Sequence, residues 1–143
     1  MLSLTCKTAI KAVIFLASKH RTGTNAGIKE IAVHIDASEH TVGKLLQTLV
    51  KEQVINSIKG PSGGFYITTD QLEQPVINIV NAIDGRDIFM ECGLGLSKCS
   101  ATHPCPMHDE YKRARDILEN AFTNNSINKL CEPVTNGIAY LVG

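Results

Sequence analysis

The sequence predicts a mainly helical chain with one small β-hairpin: a winged helix-turn-helix followed by a long C-terminal helix suited to dimerisation. Three observations predict it. Apolar residues recur at helical spacing in five separate stretches. Two of these stretches are closely spaced and lead straight into a glycine-rich hairpin pattern. Aromatic residues make up only 5% of the chain and Trp is absent, so the core rests on Ile, Val, Leu and Ala, which favours helices over a β-sandwich. With 143 residues, 43% hydrophobic and 20% charged, the chain has the size of one domain and no compositional case for disorder.

In residues 3 to 19, Cys6, Ile10, Val13 and Ala17 follow i, i+4, i+7 and i+11, with Ala9 and Leu16 widening the stripe and Lys7, Lys11 and Ser18 opposite it. That is a first helix buried along one face. Thr22, Gly23, Thr24, Asn25 and Gly27 form the turn cluster that ends it. A short second helix is expected over Ile28 to Ile35. Asp36 and Ala37 break the pattern before Ser38, an N-cap for a third helix carrying Thr41, Val42, Leu45, Leu46, Leu49 and Val50 at helical spacing.

Two short helices about three residues apart, the second longer and led by a capping Ser, match the arithmetic of a helix-turn-helix. Val54, Ile55 and Ile58 then read as a strand, Lys59 to Gly64 as a tight turn, and Phe65 to Thr68 as the returning strand, which makes a wing. Lys59 and the backbone N–H groups around Ser62 and Gly63 can approach phosphates closely there. Ser38, Glu39, His40, Thr41 and Lys44 occupy the first turns of the third helix, where side chains reach base edges in a major groove. Lys44, Lys51 and Lys59 suit phosphates, and so affinity and salt dependence more than sequence choice.

Pro75 opens a fourth helix with the stripe Val76, Ile79, Val80 and Ile83, and Gly85 is its expected C′ residue. Residues 92 to 108 have no period at all. Tyr111, Ala114, Ile117, Leu118 and Ala121 restore one from Asp109 to about Phe122, and Ile127 to Leu130 add a further turn. The expected layout is a winged helix-turn-helix over 1–70, a connecting helix in 71–91, a cysteine-rich loop over 92–108, and a dimerisation helix with its tail over 109–143.

Net charge is zero, but it is unevenly spread. Residues 1 to 60 carry eight Lys/Arg and four Asp/Glu, net +4, whereas residues 61 to 143 carry six and ten, net −4. A polyanion such as double-stranded DNA would meet the first half. The longest apolar run, Ala12 to Ala17, falls far below the roughly 18 residues that a membrane span needs, so no membrane partner is expected. Five cysteines without an export signal suggest the reducing cytoplasm, where grouped thiols more often hold metal than disulfides.

Three of those cysteines carry the chemistry. Cys92, Cys99, Cys105 and His108 form C-x6-C-x5-C-x2-H, interleaved with Gly93, Gly95, Pro104 and Pro106. Thiolates with an imidazole suit zinc or an iron-sulfur cluster far better than a hard cation. Structural zinc sites usually space paired cysteines by about two to four residues. The wider gaps here fit a cluster better, with 2Fe-2S favoured over 4Fe-4S and zinc as the alternative. His103 competes with His108 for the fourth position; the short tether to Cys105 favours His108. Cys6 and Cys131 are expected in the core and His20, His34 and His40 in solvent, with His40 close enough to the third helix's start to touch DNA. An enzyme using Cys105 and His108 as nucleophile and base is disfavoured, because no orienting acid or oxyanion motif accompanies them.

The order of helix, helix-turn-helix "KEIAVHIDASEHTVGKLLQTLVKE", wing "KGPSGGFYIT", helix "VINIVNAIDG", three-cysteine loop and long helix resembles the Rrf2 family of bacterial winged-helix regulators across nearly the whole chain. The resemblance implies a homodimeric transcription factor, usually a repressor, that reads a pseudo-palindromic operator. It also implies an iron-sulfur cluster that senses iron-sulfur status, nitric oxide or redox stress. The family's cluster cysteines fall on Cys92, Cys99 and Cys105, and one branch's histidine ligand falls on His108. Other branches use an acidic residue of the first helix, but Leu2 to Lys11 contains neither Asp nor Glu. The first gap holds six residues where the family usually has five. Thr41 and Gly43 depart from many relatives, so their operator does not carry over, and Lys59 replaces a common Arg and lacks its bidentate fork.

Overall fold

The computed structural model describes residues 1–143. Helix α1 (Leu4–His20) starts at Ser3, whose hydroxyl caps the Cys6 N–H. Its length comes from an unbroken run of helix-compatible residues, and its mid-section from Ala12 to Ala17 is buried on almost every side. α1 packs against α2 (Ile28–His34), α3 (Glu39–Lys51), α5 (Ile77–Ile83) and α7 (Ile127–Thr135). One core of 23 buried residues results, joining Leu16, Ile31, Leu46, Leu49 and Ile67 to Val76, Ile79, Ile127 and Cys131.

The turn between α2 and α3 closes through Asp36, which adopts a left-handed φ of 52°. The Ala37 N–H returns to the Ala32 carbonyl at 3.0 Å and the Asp36 N–H to Val33 at 3.4 Å, a Schellman pattern with Asp in the usual glycine position. Ser38 then caps α3 by accepting from the Thr41 N–H at 3.1 Å. The same pattern ends α3. Gln53 has φ 62° and the Val54 N–H bonds to Leu49 at 2.9 Å, which turns the apolar Val54 and Ile55 into the core.

The hairpin is shorter than the apolar pattern suggests. β1 (Asn56–Ile58) pairs antiparallel with β2 (Gly64–Tyr66), Ser57 facing Phe65. Val54 and Ile55 belong to the core instead of the strand. Ile67 is buried, and Thr68 caps a one-turn helix, α4 (Thr69–Leu72), in a reciprocal capping box with Gln71. A bridge between Ala26 and Phe65 ties the wing's outer strand to the end of the first turn cluster. The wing tip has no room for a side chain at Gly63, where a Cβ would lie 2.1 Å from the Ile58 carbonyl oxygen.

α5 starts at Ile77, with Val76 as its N-cap, rather than at Pro75, and is followed by Gly85 at φ 73°, as expected for C′. A single 3-10 turn (Asp87–Phe89) leads into the cysteine loop, and α6 (His108–Thr123) leaves it. The apolar residues of α6 divide between two directions: Ile117 is 70% and Tyr111 37% exposed, Leu118 and Phe122 pack against the core, and the buried residues of α6 are His108 and Arg115. α7 is nine residues long and docks Ile127 and Cys131 into the core, far more than a closing turn. No helix is long and apolar enough to cross a membrane.

Candidate functional site

Two surfaces carry the chemistry, and each is built from short-range structure. The first is the outer face of α3. Ser38, Glu39, His40, Lys44 and Lys51 are exposed, while Thr41 is half-buried with its hydroxyl held by Ser38 at 2.8 Å. His40, Lys44 and Lys51 share a stripe with Gln47, which is also exposed. Gln47 follows Lys44 at i+3 and belongs with the predicted set, though the sequence reading passed over it. Lys59 and Ser62 stand exposed on the wing beside half-buried Gly63, whose N–H returns to Gly60 at 2.9 Å. The face thus offers cations, one amide, one imidazole and the Glu39 carboxylate to a groove, with the apolar side of the same helix locked in the core.

The second surface is the cysteine loop. Cys92 and Cys105 are buried neighbours, and each thiol shifts the ionisation of the other. Backbone N–H groups of Leu94 and then Leu96 point at the Cys92 sulfur and hold its pKa below the ordinary thiol value, with the Cys105 thiol adding to them. Burial pushes Cys105 the other way, reinforced by donation to Cys92 and by the nearby charges of Cys92 and Cys99. Half-buried Cys99 pairs with the other donor: its sulfur lies 3.3 Å from Nδ1 of buried His108. His103 is exposed and touches only Thr102, at 3.4 Å. The four predicted donors therefore fall into two pairs, Cys92 with Cys105 and Cys99 with His108, and no three of them converge around one point as a single metal ion would require.

α6 frames this loop. Gly93 lies flat on the Tyr111 ring, so close that a Cβ would sit 2.6 Å from ring carbons. Arg115 reaches back from α6, donating to the Cys99 sulfur at 3.1 Å and to the Glu91 carbonyl. The sequence pattern gave no sign of this arginine, because a charged residue on a helix ordinarily marks the solvent face. Its burial is a tertiary effect.

The remaining thiols and imidazoles serve structure. Cys6 is fully buried under α5, its pKa pushed up to about 12 by burial and then by Asp84. Asp84 accepts from the Ser3 N–H at 2.8 Å and from the Ser3 hydroxyl. Cys131 is buried beside Thr135. His20 and His34 are not simply solvated. His20 Nδ1 bonds to the Ile67 carbonyl at 2.9 Å, and the His34 ring stacks on Phe15 with centroids 4.6 Å apart.

This arrangement has relatives. The sequence profile described as "Rrf2: Iron-dependent Transcriptional regulator" matches residues 2–133. An rrf2-like protein of Rhodobacter capsulatus, named as an HTH-type transcriptional regulator, is 31% identical over 126 residues, spanning 85% of this chain and 81% of its own. A protein of Aquifex aeolicus, named likewise, is 26% identical over 105 residues, or 72% of this chain and 73% of that one. Two solved structures share the fold: CymR, the global cysteine regulator of B. subtilis, with a TM-score of 0.74 and 19% identity over 92% of this chain and 96% of that one, and IscR of T. potens, with a TM-score of 0.74 and 16% identity over 97% and 91%. These relatives are regulators, not enzymes. With the helix-turn-helix, the wing and the profile match over residues 2–133 all in agreement, the chain belongs to the Rrf2 family of transcriptional regulators.

Proposed function

We propose that the chain is a homodimeric repressor whose affinity for a pseudo-palindromic DNA operator is controlled by an iron-sulfur cluster held by Cys92, Cys99, Cys105 and His108. The observation that carries this reading is the pairing of the four donors. In a 2Fe-2S centre each iron takes two protein ligands, and the loop presents two pairs, Cys92 with Cys105 and Cys99 with His108. When bound, such a cluster supplies redox chemistry and an inorganic crosslink to the loop.

The chain's own residues do the rest. His40, Lys44 and Gln47 face a major groove, while Lys51, Lys59 and the Ser62–Gly63 backbone meet phosphates. The loop ends in the first residue of α6, so the side-chain positions of Cys99 and His108 set how α6 begins. The exposed apolar face of α6 pairs two subunits and fixes the separation of their recognition helices. A two-fold reader needs about 34 Å between them, so a small rigid shift loses the operator. A coupling of roughly 1 to 3 kcal/mol changes affinity about 5- to 150-fold. The signal is iron-sulfur status, nitric oxide or redox stress in the cytoplasm.

The test is iron, sulfide and zinc analysis of protein purified without oxygen, beside the Cys99→Ala variant. Wild type should be coloured, with two irons and two sulfides per chain, and the variant should lose most of both. Colourless protein with stoichiometric zinc, or a variant with full iron content, overturns the reading.

A further inference from the structure

Arg115 is the one charged side chain buried without a charged partner. It is 7% exposed, takes part in none of the four ion pairs, and its Nε has no hydrogen-bond acceptor. Desolvating a guanidinium costs several kcal/mol unless an anion compensates it. No carboxylate does so here. What it faces is sulfur: one terminal nitrogen donates to Cys99 at 3.1 Å and the other to the Glu91 carbonyl, directly before Cys92. The Tyr111 ring, which also carries Gly93, lies 5.6 Å from its central carbon. One side chain on α6 thus grips both ends of the segment from Glu91 to Cys99.

We propose that Arg115 is the positioning and charge-balancing residue of the sulfur site, holding Cys99 in place and setting the reduction potential of the centre bound there. This rests on the cluster reading. Three thiolates and a neutral imidazole around an oxidised two-iron core leave one net negative charge, which a single guanidinium balances. Reduction adds a second negative charge, and a cation that donates to the ligand sulfur stabilises that form more than the oxidised one. Arg115 therefore raises the potential. Lys would keep the charge but not the two-point grip on sulfur and carbonyl.

The test is redox titration of the anaerobically loaded full-length protein as wild type, Arg115→Lys and Arg115→Met, with amide hydrogen exchange of residues 92–100 in the iron-free proteins. In Arg115→Met the ratio of reduced to oxidised centre at a fixed potential should drop about tenfold, equivalent to about 59 mV for one electron. Arg115→Lys should fall between, and exchange of residues 92–100 should quicken in both variants. Unchanged potentials in both variants overturn the proposal and leave the cluster reading standing. Wild type that takes up no iron or sulfide overturns both. Should Arg115→Met fail to load, Arg115→Lys decides alone: a potential equal to wild type is fatal to the proposal.

Discussion

At the scale of single residues, one chain uses the same thiol in opposite ways. Cys6 is sealed under α5 and stays protonated, whereas Cys92 sits where backbone N–H groups favour its thiolate. Cys6 has a measurable pH signature. Its thiol ionises near 9 when exposed and near 12 in the fold, so the folded state keeps the proton that the unfolded chain releases. Stability is whole below pH 9 and falls by roughly 1.4 kcal/mol per unit as pH rises towards 12. Urea titrations at pH 8 to 11 should show that decline in wild type and a shallower one in Cys6→Ala; identical slopes would assign the decline to other groups. The loop cysteines stood out as candidate ligands because three thiols lie close together among Gly, Pro and His. Arg115 was hidden, because an arginine between Ala114 and Asp116 looks like any solvated helix position until the loop is folded over it.

At the scale of elements, α3 and the wing were easy to read because their signals are local: the Ser38 cap, the spacing from Val42 to Val50 and the glycines after Lys59. Their exact ends were not. Val54 and Ile55 have strand propensity but are drawn into the core by the left-handed turn at Gln53, a conformation the sequence does not advertise. The wing depends on close backbone approach at Gly63. Gly63→Ala should distort the tip and cost roughly 1 to 3 kcal/mol locally, weakening operator binding about tenfold in fluorescence anisotropy while the melting temperature moves by only a few degrees. A variant that binds as wild type would remove the wing from the DNA interface.

At the scale of the whole molecule, the apolar pattern of α6 was legible as a helix, and the expectation of a dimerisation helix asks for an apolar face left open within one chain. A helix stripe shows periodicity but not what it faces, and here Tyr111, Ala114 and Ile117 face outwards within one chain. The proposed subunit pairing gives that face its partner. Ile117→Glu removes apolar burial worth about 1.5 to 3 kcal/mol and should weaken self-association about 10- to 100-fold in sedimentation equilibrium. An unaltered dimer would move the interface elsewhere. α7 was legible only as a single turn from Ile127 to Leu130: Ile127 and Cys131 are too few to announce a nine-residue helix, and their docking on α1 shows its full extent.

Between α5 and α7 the chain leaves the core and comes back to the same spot. The Val76 N–H bonds to the Asn125 carbonyl at 2.9 Å and the Ile127 N–H to Gln74 at 3.0 Å, a clasp that fastens the two roots of the excursion carrying the cysteines and α6. Val76 and Ile127 are both buried in the core beside this clasp, so α5, the cysteine loop and α6 form one long loop of chain anchored at its two ends to the recognition-helix body. On the proposed reading, a change at the sulfur-bearing bend would reach α6 from inside a closed circuit of chain, with the clasp and the core beneath it left in place.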